Sequence, residues 1–344
     1  MGIRFSLVAV VALVLAAFLG VGTAGLNHFF GVTVPSIALV VFLGGVVFRV
    51  LKWGRSPVPF RIPTTAGQQK TLSWIPQNKL DNPSTKMQTV GRMVLEVLLF
   101  RSLFRNTKFE IEKGPKLYYQ WEKWLWLASL AFHYCFLVIL IRHLRFFTDP
   151  VPFFVHDIER LDGFFQVGLP GLYLTDAIFM LAVTYLLIRR LIIPQLRYIS
   201  LPQDYFPLFL LFTIGTTGIL TRYFTKVDLI KVKQLAIGII SFHPVVPEGI
   251  GVIFFIHLFL VSTLLIYFPF SKLMHAGGIF LSPTRNLPND SRFKRHVNPW
   301  NYPVKVHTYA EYEDHFREKM VEAGLPVEKE LDEAPVTAQN STEG

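Results

Sequence analysis

Residues 123–146 read KWLWLASLAFHYCFLVILIRHLRF, and the fold follows from how that stretch is read. As a helix it extends about 36 Å, enough to cross a hydrocarbon core of about 30 Å. Lys123 at one end and Arg142 and Arg145 at the other close it with cations. Trp124 and Trp126, behind Tyr118, Tyr119 and Trp121, stand where interfacial aromatics anchor a span. Within the run lie His133 and His143, ten residues apart. Ionisable residues inside a membrane span are rare and point to function by default.

Five further runs share this character: Phe5–Gly25, Pro35–Leu51 (closed by Lys52, Trp53 and Arg55), Leu169–Ile188 (closed by Arg189 and Arg190), Tyr205–Arg222 and Gly249–Lys272. The 344 residues are 51% hydrophobic and only 17% charged, against about a quarter charged in soluble domains. The expected fold is therefore all-α, a polytopic membrane helical bundle of about six transmembrane helices with a cytoplasmic C-terminal tail. Its expected divisions are two N-terminal transmembrane helices (1–52), a cytoplasmic loop (53–122), a four-helix membrane core (123–280) and the tail (281–344). Within the loop, Val90–Phe104 reads as an amphipathic helix lying on the interface. Val232–Phe242 is apolar but too short to cross. Residues 1–25 resemble a signal peptide, but the apolar core is long for one and an uncleaved span is expected. In the tail, Tyr309–Gly324 reads as a charged helix and Glu330–Gly344 as an acidic, disordered end.

The net charge of +10 does not describe a nucleic-acid binder, because the cations sit between apolar runs rather than along a stripe with stacking aromatics. Their partner is the lipid bilayer. Of 34 Lys and Arg, 25 fall in the N-terminus, the second and fourth loops and the tail, and 7 in the other three loops. The positive-inside rule then predicts a multi-pass protein of the cytoplasmic (inner) membrane with both termini cytoplasmic. The single cysteine, Cys135, excludes an intrachain disulfide, a Cys-ligated iron–sulfur cluster and a CxxCH heme attachment.

A second histidine pair, His257 and His275, lies in the last apolar run, eighteen residues apart. In one continuous helix that spacing is five turns, so both would share a face. If the third and sixth spans are antiparallel, His133 meets His275 near the cytoplasmic side and His143 meets His257 near the outer side. Axial ligation of heme iron needs one neutral imidazole from each side of the macrocycle. The rises differ, about 15 against 27 Å, so the heme planes tilt oppositely or one helix bends. His28, His156, His243, His296, His307 and His315 lie in loops or the tail, where solvated or structural roles are expected.

The spacings of ten and eighteen, with YFPFSKLMH at 267–275, resemble the gamma subunit of respiratory nitrate reductases over about residues 120–280. A narrower resemblance covers more of the chain. LEVLLFRSLFR (95–105), FHYCFLVILIRHLRFF (132–147) and SPTRN…VNPWNYPVKVHTYAEYEDHFREKM (282–320) are similar to the DsrM (HmeC) membrane cytochromes of the DsrMKJOP complex of sulfur-metabolising prokaryotes. That resemblance implies two b hemes, a menaquinone site and docking to a cytoplasmic iron–sulfur subunit of heterodisulfide-reductase type. It also implies further membrane and extracytoplasmic redox subunits in a complex linked to sulfite or sulfate reduction. The extra N-terminal span and long second loop depart from the nitrate-reductase pattern, so partners do not transfer from that family.

Candidate quinone or propionate contacts are Arg142, Arg145, Arg160 and Arg222, with Asp149, Asp162 and Lys226 nearby in sequence terms. The family's placement of the site favours Arg160 for the quinone, and Arg145 and Arg222 suit propionates. The bland alternative for each is anchoring at lipid headgroups. Rival readings are a cytochrome b of a heterodisulfide, nitrate, formate or hydrogenase-type enzyme, a heme-free anchor, and a proton-coupled transporter with a helix break at Gly215–Gly218.

Overall fold

The computed structural model describes residues 2–56, 58, 61–62, 67–112, 116–292, 303 and 306–329, without the side chains of 108–121. The expected acidic end, 330–344, and His296 lie outside the described residues. In chain order the elements begin with α1 (Gly2–Gly22), α2 (Val34–Gly54), α3 (Lys86–Leu99) and the single turn α4 (Arg101–Phe104). A hairpin follows, β1 (Thr107–Glu112) with β2 (Lys116–Trp121), then α5 (Lys123–His143) and α6 (Phe153–Phe164). The two-residue strands β3 (Gln166–Val167) and β4 (Leu172–Tyr173) lead into α7 (Leu174–Ile192), α8 (Pro194–Ile199), α9 (Pro202–Ile219) and α10 (Leu229–Ile240). The chain ends with α11 (Val252–Tyr267), α12 (His275–Leu281), α13 (Pro283–Asn286) and α14 (Tyr309–Glu322).

Among the described residues, five helical stretches are long and apolar enough to cross a membrane: Gly2–Gly22, Phe29–Gly54, Lys123–Phe146, Pro202–Phe224 and Val252–Phe270. The expected fourth span is α7, which carries Asp176, Arg189 and Arg190 and is not among the five. It nevertheless packs in the bundle between α5 and α9. The chain is a multi-pass helical membrane protein. Lateral order runs α5, α7, α9, then α1 and α11 together, then α2 against α11. Polarity is inverted relative to a soluble protein. Phe5, Val8, Val40 and Leu43 face outward, while Ser6, Arg142, Asp162, Asp176, Thr217 and Ser262 are buried. A lipid-facing surface needs apolar atoms, and polar groups must find partners inside.

Small residues bring the helices together. Ser6 Oγ donates to Pro202 O at 2.9 Å, tying α1 to the start of α9. A Cβ on Gly45 of α2 would stand 2.7 Å from Pro269 Cβ, and one on Gly215 of α9 would stand 2.5 Å from Met180 Sδ of α7. Gly215–Gly218, expected as a break, is continuous α-helix; the glycines serve close packing. A π-turn over Leu220–Phe224 ends the helix.

The expected single helix from Gly249 to Lys272 is interrupted. α11 ends at Tyr267, a 3-10 turn covers Phe268–Phe270, Ser271 is extended, and a second turn leads to α12 at His275. Pro269 has no N–H to continue the helix, and Ser271 Oγ instead accepts from Leu273 N at 3.2 Å. His257 and His275 therefore sit on separate helices, and the five-turn face argument does not hold.

The amphipathic segment divides into α3 and α4 at Phe100, whose φ is 49°. Its apolar residues Met87, Val90, Val94 and Leu98 are exposed, while Arg92 and Glu96 are buried. Arg92 donates to Asp81 O at 2.8 Å, and Glu96 pairs with Arg285 of α13 at 3.0 Å. This outward apolar stripe is the geometry of an interfacial helix. The last carbonyls of α3 are satisfied from α5: Trp126 Nε1 donates to Leu99 O at 2.7 Å and Tyr134 Oη to Leu98 O at 2.9 Å.

Asp81 ties the preceding loop to α4. Burial pushes its carboxyl up, but hydrogen bonds and charge from Arg101 and Arg105 outweigh this and hold it below the ordinary carboxylate range. A lowered folded pKa contributes stability that is complete above the unfolded value, about 4, and lost as pH falls through the folded one. The stability difference between the native chain and Asp81→Asn, from thermal unfolding in detergent, should be full at about pH 6 and close below about pH 4. A gap independent of pH would count against this ion pairing.

The chain divides into two compact units, Met1–Arg295 and His296–Gly344. In the second, α14 begins with a capping box: Glu311 N donates to Thr308 Oγ1 at 3.3 Å and Thr308 N to Glu311 Oε2 at 3.0 Å. Glu313 is buried and accepts from Glu328 N and Lys329 N at 2.8 and 2.9 Å, folding the following turn back on the helix.

Candidate functional site

The four candidate histidines share one feature of local geometry. On α5, His133 Nδ1 lies 2.7 Å from Ser129 O and His143 Nδ1 lies 2.7 Å from Ile139 O. These are the carbonyls one helical turn back. His275 Nδ1 lies 2.8 Å from Lys272 O, and His257 Nδ1 lies 3.0 Å from Thr217 Oγ1 of α9. A carbonyl only accepts, so a ring nitrogen set against one carries the proton. In each of those rings Nε2 is left with the lone pair that binds metals.

The rings of His133 and His275 meet edge to face, with centroids 5.9 Å apart and planes at 80°. Phe100 and Phe132 each stand edge-on to His133 at 4.9 Å, so the turn that separates α3 from α4 packs on this pair. At the end of α5, Phe146 stands beside His143 at 5.8 Å, and on α11 His257 is turned toward α9. Among the described residues no group of three or more His, Cys, Asp or Glu could hold a metal ion. An opposed imidazole pair can still hold a metal whose other ligands come from a flat macrocycle. Cys135 is free and packs in the apolar cluster with Phe179, Val183 and Leu211.

Next to His143 the chain buries a charged cluster. Arg142 pairs with Asp162 at 2.6 Å and with Asp176, and its guanidinium lies 4.8 Å from the Tyr173 ring centroid. Thr175 N and Oγ1 donate to Asp162 at 3.1 and 2.5 Å, and Tyr223 Oη donates to Asp176 at 2.6 Å. Arg222 stacks over Tyr173 at 4.3 Å and pairs with Glu159 at 3.3 Å; Arg145 pairs with the same carboxylate. Three cations thus meet three carboxylates.

The sequence candidates separate accordingly. Arg142 is committed to two carboxylates, whereas Arg145 and Arg222 share one. Arg160 is 83% exposed and 3.8 Å from Asp157, a loose pair on α6. It lines an open groove of about 450 Å³ with His156, Glu159 and Tyr173. Asp149 pairs with Lys233 at 3.2 Å. Sequence reasoning missed Glu159, Tyr173, Asp176, Thr217 and Tyr223. Asp176 carried a signal, as a carboxylate entering an apolar run. Thr217 carried none, because a threonine in a span is unremarkable until its neighbour across the bundle is known.

Against known proteins, the model of the nitrate reductase gamma subunit family matches residues 93–289, a range that includes all four histidines. An Hdr-like menaquinol oxidoreductase cytochrome b-like subunit of Archaeoglobus fulgidus is 46% identical over 279 residues, covering 79% of this chain and 83% of that protein. The protein of the same name from Archaeoglobus profundus is 44% identical over 274 residues, covering 78% and 81%. The respiratory nitrate reductase 1 gamma chain of Escherichia coli is 29% identical over 167 residues, covering 44% and 71%. A family match over more than half the chain, and relatives matched over most of their length, agree with the helical bundle and its histidine-bearing helices. The chain belongs to the nitrate reductase gamma subunit family.

Proposed function

We propose that this protein is a diheme cytochrome b subunit of a quinone-linked oxidoreductase. His133 and His275 hold the cytoplasmic-side heme b, and His143 and His257 the outer-side one. The observation that carries the reading is the adjacent pair His133–His275, in which both Nδ1 atoms are occupied by carbonyls. The His133 and His275 rings, with centroids 5.9 Å apart, would hold that heme through the lone pair left on each Nε2. When bound, each heme supplies a one-electron carrier.

The chain's own residues orient the ligand imidazoles, exclude water with Phe100 and Phe132, and set charge beside the outer pair. The quinone is menaquinone, a reading supported by the names of the Archaeoglobus relatives. Its proposed position is the outer side, near Arg145, Arg222 and the groove that Arg160 lines. Arg145 and Arg222 are also suited to heme propionates, since one carboxylate balances both. Arg142 serves instead as the tie between α5, α6 and α7.

Both termini are proposed to be cytoplasmic in the inner membrane, on the 25-to-7 distribution of Lys and Arg. The proposed partners are a cytoplasmic iron–sulfur subunit of heterodisulfide-reductase type and further membrane and extracytoplasmic redox subunits. The narrower DsrM assignment, in a complex linked to sulfite or sulfate reduction, is supported by the segments at 95–105, 132–147 and 282–320. Charge transfer across the full membrane against the potential is worth about 2.3 kcal/mol per 100 mV.

The decisive measurement is an optical spectrum. Dithionite-reduced protein should show b-type bands and about two hemes per chain by pyridine hemochrome, and a menaquinol analogue should reduce the same bands. Arg160→Ala should retain both hemes and slow the quinol reaction. Unchanged quinol reduction in that variant would remove Arg160 from the site, and heme-free protein would sink the whole reading.

A further inference from the structure

Of the four histidines, His257 alone sets its Nδ1 against a side chain. The other three use carbonyls of their own segment at 2.7, 2.7 and 2.8 Å. His257 reaches from α11 to α9, where Thr217 Oγ1 is 3.0 Å away. The hydroxyl's remaining contacts give the direction of that bond. Thr217 Oγ1 lies 2.8 Å from Thr213 O and 3.0 Å from Ile214 O, and both oxygens only accept. The single hydroxyl proton goes to them, so Oγ1 accepts and the imidazole Nδ1–H donates.

The next residue shapes the space for the ring. A Cβ on Gly218 would stand 3.1 Å from His257 Cε1, tighter than ordinary van der Waals contact. Thr217 is itself buried, so water does not compete for its hydroxyl. Adjacent residues on α9 thus hold the imidazole by one edge and leave room for another.

We infer that Thr217 is a positioning residue for the heme held by His143 and His257: its hydroxyl fixes the tautomer and rotation of the His257 ring, with Gly218 providing the clearance. The inference rests on the ligand reading above. An acceptor on Nδ1–H raises the basicity of the coordinating nitrogen and so favours the ferric state. Losing it favours the ferrous state of that heme alone.

The test is a redox titration of both hemes, with low-spin EPR, in the full-length protein carrying Thr217→Val or Thr217→Ser. Thr217→Val should raise one midpoint potential by about 59 mV, equivalent to about tenfold in the ferrous-to-ferric ratio. The shifted heme should be the one missing from His257→Ala. Thr217→Ser should restore the native value, and Gly218→Ala should change the EPR signal of that same heme. Loss of that heme alone in Thr217→Val, with retention in Thr217→Ser, is the same result in stronger form. Unchanged potentials, a downward shift, or equal shifts in both hemes would overturn the inference. Retention of both hemes in His257→Ala would instead overturn the ligand reading, whatever Thr217 does.

Discussion

His143→Ala and His257→Ala should each remove the same heme and leave the other, while His133→Ala and His275→Ala should both remove the second. The expectation follows from which rings meet. The His133 and His275 rings meet with centroids 5.9 Å apart, which leaves His143 and His257 as the proposed second pair. Each heme would be held by two imidazoles, so loss of either would remove half of its protein ligation and leave an enlarged cleft. The two hemes should be distinguishable by midpoint potential, since their surroundings differ. Phe100 and Phe132 flank His133, whereas the Arg142 cluster adjoins His143. Difference spectra and redox titration of the four single variants would sort them into two classes. If His143→Ala grouped with His275→Ala, the pairing would be wrong even if both hemes exist.

Arg142→Met should destabilise the protein by about 3–5 kcal/mol, the range for removing one partner of a buried ion pair. Arg142 and Asp162 have side chains 6% and 4% exposed, and Asp176 is 10% exposed. Without the guanidinium, two carboxylates face each other across α6 and α7 with one countercharge removed and no water to replace it. Combining Arg142→Met with Asp162→Asn and Asp176→Asn should recover part of the loss, because the stranded charges go with the cation. Arg160→Ala, on an exposed α6 position, should change stability by no more than about 0.5 kcal/mol. Denaturant unfolding in detergent compares all three. An Arg142→Met variant as stable as the native chain would show that the cluster does not hold α5, α6 and α7 together.

The apolar runs made the spans legible because length and composition alone decide whether a helix can cross a bilayer. His133 and His143 were legible for the same reason: an imidazole stands out in KWLWLASLAFHYCFLVILIRHLRF. α7 was legible as a run, but its start lies at Leu174 rather than Leu169, after the short β3–β4 hairpin. The break after Tyr267 was present in the sequence as Pro269. Its consequence was missed because an eighteen-residue spacing also suits an unbroken helix. α6 went unread, since a twelve-residue amphipathic helix between two spans resembles an ordinary polar loop in composition.

The sequence by itself determined the class of the protein, the four histidines and the chemistry available to them. These depend on local quantities, namely hydrophobic run length and the rarity of ionisable groups in apolar surroundings. Only the tertiary structure decided the partners of each group. Arg142 became a buried tie because Asp162 and Asp176, 20 and 34 residues away, converge on it. Thr217 became the support of His257 across 40 residues of chain. Such pairings depend on how helices rotate and cross, which is set by close contacts such as those at Gly45, Gly215 and Gly218, and no one-dimensional pattern encodes them.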